Sequence, residues 1–344
     1  MSASKTLLKV LGGEKTDTPP IWLMRQAGRY LPEYRQTRAQ AGDFLSLCYT
    51  PELAAEVTLQ PIRRYGFDAS ILFADILLVP QAMGQKLWFA EGEGPRLDPL
   101  TDQAAIEALG TEGLHDHLAP VYETVSILAR ELPDPVTLIG FAGAPWTVAS
   151  YMIAGRGTTD QAPAKRMAWA APELFQSLMD KLVEATSAYL IEQIKAGAEV
   201  IQLFDTWAGG LPEPLFERAV IEPTTAIVER LKKAHPDVPV IGFPRGVGAR
   251  AETYWAETGI DALGLDTGAD LDYAARVLQP MGAVQGTLDP QCLVAGGQTM
   301  RDEIDRICDC LKGGPHIFNL GHGIVPDTPP EHVAELVAHI RGRS

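Results

Sequence analysis

Short apolar runs of β type alternate with longer amphipathic segments along almost the whole chain, and this alternation restricts the possible folds more than any single motif does. The eight candidate strands are Pro20–Met24, Ala69–Ala74, Thr137–Ala142, Glu199–Phe204, Pro239–Phe243, Ala262–Asp266, Ala283–Gly286 and His316–Leu320. The helical segments between them are 51–65, 114–131, 172–196, 214–234, 248–258, 270–279, 298–312 and 330–341. Strands that alternate with helices form parallel sheets through right-handed crossovers, and eight such units close into a barrel.

The pattern therefore predicts an α/β protein, a (β/α)8 TIM barrel formed by a single domain over residues 1–344. A chain of 344 residues often holds two domains, but α/β barrels regularly exceed the average domain length. The strand 200–204 is a nearly continuous apolar run, which is typical of a strand buried on both faces. Residues 80–100, rich in Gly and Pro, predict an excursion after the second strand, in the form of a hairpin.

The charge balance bears on the partners of the chain. It carries 29 basic and 44 acidic residues, a net charge of −15, which argues against nucleic acid and anionic membranes as partners. It contains no apolar run of about 18 residues and no signal-peptide core, so we expect a cytoplasmic protein. The four cysteines lack the spacing of a zinc site, so we interpret them as structural: Cys48, Cys292, Cys308 and Cys310.

An arginine-rich stretch near the N-terminus stands out against this acidic background. Its only acidic residue is Glu33, and its four arginines are Arg25, Arg29, Arg35 and Arg38. Because a guanidinium pairs bidentately with carboxylate or phosphate, the cluster favours a polyanionic ligand. Gly28 would let backbone N–H groups approach the same anion. The alternative is a solvated basic turn.

Polar or aromatic residues follow every predicted strand. In chain order they are Arg25 with Arg29, Asp75, Trp146 with Tyr151, Asp205 with Thr206, Arg245, Asp266, Asp289 and His322. Active sites of (β/α)8 barrels lie at the C-terminal ends of the strands, so this regularity predicts a site there.

Each of these residues also has a structural explanation. Asp75 lies within an apolar run, where unpaired burial would cost several kcal/mol, and we favour a functional role over backbone capping. Helix N-capping is the favoured role for Asp205, Asp266 and Asp289. Ligand contact and structural packing both stay open for Trp146, Tyr151 and His322.

Missing residues exclude several kinds of chemistry. None of the ten lysines lies in a candidate strand, which disfavours Schiff-base and pyridoxal-phosphate mechanisms. No His-x-Cys arrangement reaches a strand end, and no GxGxxG follows a strand, so zinc-thiolate and nicotinamide chemistry lack support. The sequence predicts neither a metal nor a prosthetic group.

Several sequence blocks of the chain resemble those of the uroporphyrinogen decarboxylase family. The run Pro-Ile-Trp-Leu-Met-Arg-Gln-Ala-Gly-Arg-Tyr-Leu-Pro-Glu-Tyr-Arg over residues 20–35 is similar to the family's first signature. The run Gly-Phe-Ala-Gly-Ala-Pro-Trp-Thr-Val-Ala-Ser-Tyr-Met over residues 140–152 is similar to its second. Further similar blocks are 74–84, 285–290 and 319–324, and the resemblance extends over about residues 5–340.

The resemblance implies a carboxy-lyase of haem biosynthesis, a homodimer of (β/α)8 barrels without cofactor or metal. It would convert uroporphyrinogen III to coproporphyrinogen III by turning four acetates into methyls. The implied catalytic residues are Asp75 and Arg25. The implied substrate-binding residues are Arg25, Gln26, Ala27, Gly28, Arg29, Asp75, Tyr151, Thr206 and His322. Family members often have Ser where this chain has Thr206, and the hydroxyl is kept.

The chemistry of this reaction accounts for the absence of a lysine or metal. A pyrrole that is first protonated on carbon accepts the electrons that CO2 leaves behind, so the substrate is its own electron sink. A carboxylate at the pyrrole N–H groups, the role implied for Asp75, would stabilise that cation. The proton donor stays open between Arg25, solvent and the substrate's own carboxyl groups.

Two other functions compete with this one. A barrel methyltransferase acting on a corrinoid or thiol would need bound zinc. A tetrapyrrole carrier would use the same arginine-rich cleft without turnover and would tolerate the loss of Asp75.

Overall fold

The computed structural model describes residues 5–90 and 94–343. The strands of this part of the chain are β1 (Ala69–Ile71), β2 (Leu87–Ala90), β3 (Gly94–Leu97), β4 (Thr137–Gly143), β5 (Val200–Asp205), β6 (Val240–Pro244), β7 (Ala262–Gly264), β8 (Ala283–Leu288) and β9 (His316–Leu320). Seven of them form one parallel sheet in the order β1-β4-β5-β6-β7-β8-β9. The protein is therefore an α/β protein, as predicted.

Helices connect the successive parallel strands. They are α1 (Thr6–Leu11), α2 (Pro32–Ala41), α3 (Phe44–Cys48), α4 (Pro51–Tyr65), α5 (Leu78–Ala82), α6 (Gln103–Glu107), α7 (Leu114–Glu131), α8 (Pro145–Ala154), α9 (Ala162–Ala170), α10 (Pro172–Ala196), α11 (Glu213–Phe216), α12 (Glu222–Ala234), α13 (Ala251–Thr258), α14 (Leu271–Tyr273), α15 (Pro290–Ala295), α16 (Gly297–Leu311) and α17 (Pro330–Arg341). One-turn π-helices at 217–221 and 274–278 interrupt two of the predicted helical segments.

The apolar side chains of the sheet pack on both of its faces. One cluster combines a buried residue from most strands with Trp22 and Met24, and α1 contributes Leu7 and Val10 to it. A larger cluster packs the opposite face of the strands against the surrounding helices. The strands are thus covered on both faces, which explains why their sequences are nearly continuous apolar runs.

The predicted first strand, Pro20–Met24, is reduced to a single parallel bridge between Ile21 and Phe318 of β9. Most of its N–H groups donate to side chains: Ile21 N donates to Asp68 Oδ2 at 2.8 Å, and Met24 N donates to Asn319 Oδ1 at 2.9 Å. Asp68 N in turn donates to Ile21 O at 2.9 Å, directly before β1. At the other edge, Trp22 N donates to Phe318 O at 3.3 Å, and Phe318 N donates to Pro20 O at 2.9 Å. The segment therefore hydrogen-bonds at both edges of the seven-stranded sheet, although it forms no regular ladder.

The predicted hairpin within residues 80–100 is confirmed: β2 and β3 pair antiparallel. By contrast, β1 ends three residues earlier than predicted. Phe73 N donates to Thr58 Oγ1 at 3.2 Å and not to a neighbouring strand, so the chain leaves the sheet before it reaches Asp75.

Two absences hold for this described part of the molecule. None of its helices combines the length and the apolar character needed to cross a membrane. All four cysteines are free thiols, with Cys48 and Cys308 buried.

Candidate active site

Asp75 occupies the central position among the predicted site residues. It lies just beyond β1, deep within the fold, yet its side chain keeps some exposed area and so faces a cleft. Burial raises the pKa of the Asp75 carboxyl, while the hydrogen bond from Leu77 N at 2.9 Å and the charge of Arg25 lower it. One carboxylate oxygen thus accepts a local backbone bond, and the other has no hydrogen-bond donor among the described residues.

Arg25 lies close to three other candidate residues. Its charge lowers the pKa of Asp75, Tyr151 and His322 alike, so the guanidinium is near all of them. The backbone of Arg25 is left-handed, with φ of 61°, a conformation that is uncommon outside glycine. Its side chain crosses Gly323 so closely that a Cβ there would lie 2.7 Å from Arg25 Cγ and 2.9 Å from Nε.

Tyr151 and His322 line the same region from different elements. Tyr151, half-buried on α8, has a pKa raised by burial and by the Asp75 charge, and its ring centroid is 6.4 Å from that of Trp207. Burial and, to a smaller extent, the cations Arg25 and Arg245 together lower the pKa of His322 to about 4. His322 is therefore a neutral imidazole near pH 7, suited to hydrogen bonding and not to proton donation from an imidazolium.

Thr206 follows β5 and is half-buried. The helix N-capping role predicted for its neighbour Asp205 is wrong. Asp205 does not cap a helix, because the next helix begins at Glu213 with Pro212 as its N-cap. Instead the buried carboxyl accepts a short hydrogen bond from the Thr147 hydroxyl, and that hydroxyl accepts from Trp207 N at 3.0 Å. Asp205 Oδ2 has no hydrogen-bond partner in the described residues, and burial raises the pKa of Asp205 to about 7.

Replacing Asp205 by Asn is expected to flatten the pH dependence of stability. The folded protein holds the Asp205 proton more tightly than the unfolded chain, so stability falls as pH rises from about 4 to about 7. Between pH 5 and pH 8 the wild type should lose about 2 kcal/mol relative to Asp205→Asn. Urea unfolding of both proteins at the two pH values measures this difference, and parallel pH profiles would contradict it.

The arginine-rich stretch divides into local contacts and groups directed outward. Arg35 donates to Arg29 O at 3.0 Å, and Arg38 donates to Gly42 O at 2.9 Å. Glu33, the acidic residue of the stretch, forms an ion pair at 2.7 Å with Arg64 and not with one of the four arginines. Among the described residues, the exposed side chains of Arg25 and Arg29 donate to no acceptor.

Backbone geometry adds further donors at this point. The Gln26 side chain is fully buried and bridges Leu23 N and Ala69 O, so it fixes the turn to β1. The backbone N–H groups of Ala27, Gly28 and Arg29 donate to no acceptor within the described chain. Consecutive unpaired N–H groups next to two arginines form a concave donor surface for an anion.

The remaining strand-exit residues have structural roles. Asp289 caps α15 as predicted, accepting from Gln291 N at 2.8 Å. Asp266 caps no helix; its carboxylate accepts from Gly246 N and Gly268 N at 2.5 and 2.7 Å and joins two strand exits. Trp146 is a core residue, with Nε1 donating to Trp207 O at 2.8 Å. Within residues 5–90 and 94–343, no three His, Cys, Asp or Glu side chains are grouped to hold a metal ion.

Sequence comparison identifies the family. A model of the family described as uroporphyrinogen decarboxylase (URO-D) matches residues 2–343. The chain belongs to the uroporphyrinogen decarboxylase family. A uroporphyrinogen decarboxylase from Jannaschia sp. (strain CCS1) is 59% identical over 342 residues, covering 99% of this chain and 100% of that protein. One from Paracoccus denitrificans (strain Pd 1222) is 58% identical over 341 residues, covering 99% and 100%.

Structural comparison places the same fold in a distant protein. A methyltransferase from Methanosarcina mazei superposes with a TM-score of 0.78 at 19% identity, covering 98% of this chain and 97% of that one. At 19% identity this likeness concerns the fold alone.

Proposed function

We propose that this chain is a uroporphyrinogen decarboxylase that converts uroporphyrinogen III to coproporphyrinogen III in haem biosynthesis. Each of the four acetate side chains loses CO2 and gains one proton, which leaves a methyl group. The family match and the identities of 58–59% over the full chain support this activity.

The carboxylate of Asp75 is the observation that carries the proposed mechanism. Protonation of the pyrrole carbon adjacent to the one that bears the acetate creates a ring cation, and this cation accepts the electron pair of the breaking C–C bond through the acetate-bearing carbon as CO2 leaves. The exocyclic methylene is then protonated to a methyl, and the ring loses its extra proton. Asp75 faces the cleft from an environment that excludes most water, where a fixed negative charge stabilises the cation more than in bulk solvent.

The arginines Arg25 and Arg29 fit the carboxylates at the periphery of the substrate. Uroporphyrinogen carries eight carboxylates, and Arg25, Arg29 and the free N–H groups of residues 27–29 offer charge-assisted donors to them. Tyr151, Thr206 and the neutral His322 supply further hydrogen-bonding groups in this proposal. The roles of Asp75 and Arg25 as catalytic residues belong to the same proposal.

We also propose that the chain forms one (β/α)8 barrel domain and acts as a cytoplasmic homodimer. The hydrogen bonds of residues 20–22 to Asp68, directly before β1, and to Phe318 of β9 support closure of the barrel with the segment 20–24 in the place of an eighth strand. Light scattering of the purified protein tests the dimer, and a monomer mass would contradict it.

The direct test of function is an assay with purified protein and uroporphyrinogen III under reducing, anaerobic conditions. We expect products with seven, six, five and finally four carboxyl groups, separated by chromatography after oxidation to porphyrins. Unchanged octacarboxylate, bound but not converted, would indicate a tetrapyrrole carrier.

Arg29→Lys tests the arginine contribution to binding. Lysine keeps the charge but loses the planar fork, so a bidentate contact becomes a single one. We expect KM for uroporphyrinogen to rise about tenfold with little change in kcat. Arg35→Lys is the matched control, since Arg35 donates to a backbone carbonyl; equal KM values for the wild type and Arg29→Lys would assign Arg29 to the solvated surface.

A further inference from the structure

A second cavity of about 560 Å³ adjoins the candidate active site. It lies between the β2–β3 hairpin and the turn that follows α8. Arg96 of β3 lines one side, and Arg156, Thr158 and Asp160 of the turn line the other. Two guanidinium groups thus line one cavity of a chain whose net charge is −15.

Tyr151 connects this cavity to the candidate active site. The residue lines the cavity, and its pKa responds to the charges of Asp75 and Arg25. Gly157 lies against the tyrosine, where an added Cβ would stand 3.2 Å from Cε1 and 3.3 Å from the hydroxyl. Tyr151 therefore belongs both to the wall of this cavity and to the surroundings of Asp75 and Arg25.

The walls of the cavity are fixed before any ligand binds. Leu97 N donates to Gly155 O at 2.9 Å and joins the hairpin to the turn. Gln161, in a left-handed conformation with φ of 53°, donates from Nε2 to Thr158 O at 2.7 Å. Fixed walls reduce the ordering cost of binding, so even a small number of polar contacts contributes to affinity.

The polar groups of the lining are suited to a carboxylate. Arg156 is exposed and donates to no acceptor among the described residues, and Thr158 Oγ1 is buried without a partner there. Asp160, the acid among the described residues of the lining, accepts from Ala162 N at 3.1 Å at the start of α9. A guanidinium without an internal acceptor can pair bidentately with the two oxygens of a carboxylate.

We propose that this cavity is a carboxylate subsite in which Arg156, across from Arg96, holds one peripheral carboxylate of the porphyrinogen. The inference rests on the proposed function for the identity of the ligand. The carboxylate is either an acetate, which the reaction removes, or a propionate, which the product keeps.

Arg156→Met, with Arg156→Lys as the conservative variant, tests the subsite. We expect Arg156→Met to raise KM for uroporphyrinogen about three- to tenfold at low ionic strength, with kcat nearly unchanged. The increase should shrink below about twofold in about 0.5 M salt, because screening removes an exposed ion pair. Arg156→Lys should recover part of the loss. Arg166→Met, an exposed arginine on α9 outside the cavity, is the matched control and should leave KM unchanged.

Equilibrium binding of coproporphyrinogen III distinguishes the two sources of the carboxylate. A weaker Kd for Arg156→Met identifies a propionate, whereas an unchanged Kd with a raised KM identifies an acetate. If the wild type binds porphyrinogens without turnover, a Kd for uroporphyrinogen weakened by Arg156→Met keeps the subsite and removes only the decarboxylase proposal. The subsite is overturned if both KM and Kd are unchanged, or if Arg166→Met weakens binding equally.

Discussion

Asp75→Asn is expected to lower kcat for uroporphyrinogen decarboxylation by about 10²–10³-fold while the protein still folds and binds its substrate. Asparagine has nearly the same volume and can still accept the hydrogen bond from Leu77 N. It lacks the negative charge that faces the ring cation, so the variant loses stabilisation of the transition state more than binding of the ground state.

Single-turnover rates and the Kd for coproporphyrinogen separate these two effects. Asp289→Asn is the matched control, because Asp289 is an N-cap at another strand exit and asparagine caps helices equally well. A rate for Asp75→Asn within a few-fold of wild type would remove this carboxylate from the mechanism. Such a result, with binding intact, would favour a mechanism in which another group stabilises the ring cation.

The helices were predictable because local chemistry decides where they begin and end. Pro51, Pro172 and Pro330 occupy the first position of their helices, and α4, α7, α10 and α17 have the predicted bounds. The hydrogen bonding of the segment 20–24 was not predictable. Ile21 N donates to the side chain of Asp68, 47 residues away in the chain, and Met24 N donates to the side chain of Asn319, 295 residues away. An apolar run alone carries no information about such partners.

In the candidate site, too, some residues could be predicted from the sequence and others could not. Asp75 was recognisable as an acid within an apolar run, since that pattern is costly unless the carboxylate has a use. Asp205 was assigned to the wrong role because its partner Thr147 is 58 residues distant in the chain. Arg96 and Arg156 gave no signal in the sequence, because only the packing of a hairpin against a helix end makes them neighbours.

Gly323→Ala is expected to lower kcat/KM by about 10²-fold with a change of only a few degrees in Tm. Gly323 does not have a left-handed backbone, so alanine introduces no φ strain. Its Cβ would instead overlap the Arg25 side chain, with Cγ at 2.7 Å and Nε at 2.9 Å, closer than real Cβ contacts. The guanidinium must move away from the position it holds near Asp75, Tyr151 and His322.

A double-mutant cycle shows whether the effect runs through Arg25. Once Arg25→Met has removed the guanidinium, adding Gly323→Ala should lower kcat/KM by less than about threefold, since the two changes disturb one interaction. Gly313→Ala is the control: its Cβ meets nothing within 4 Å, and its backbone is not left-handed either. Additive losses in the cycle would mean that Gly323 acts on the cleft independently of Arg25. A normal rate for Gly323→Ala would mean that the position of Arg25 is not critical, because the side chain can take another rotamer without loss of turnover.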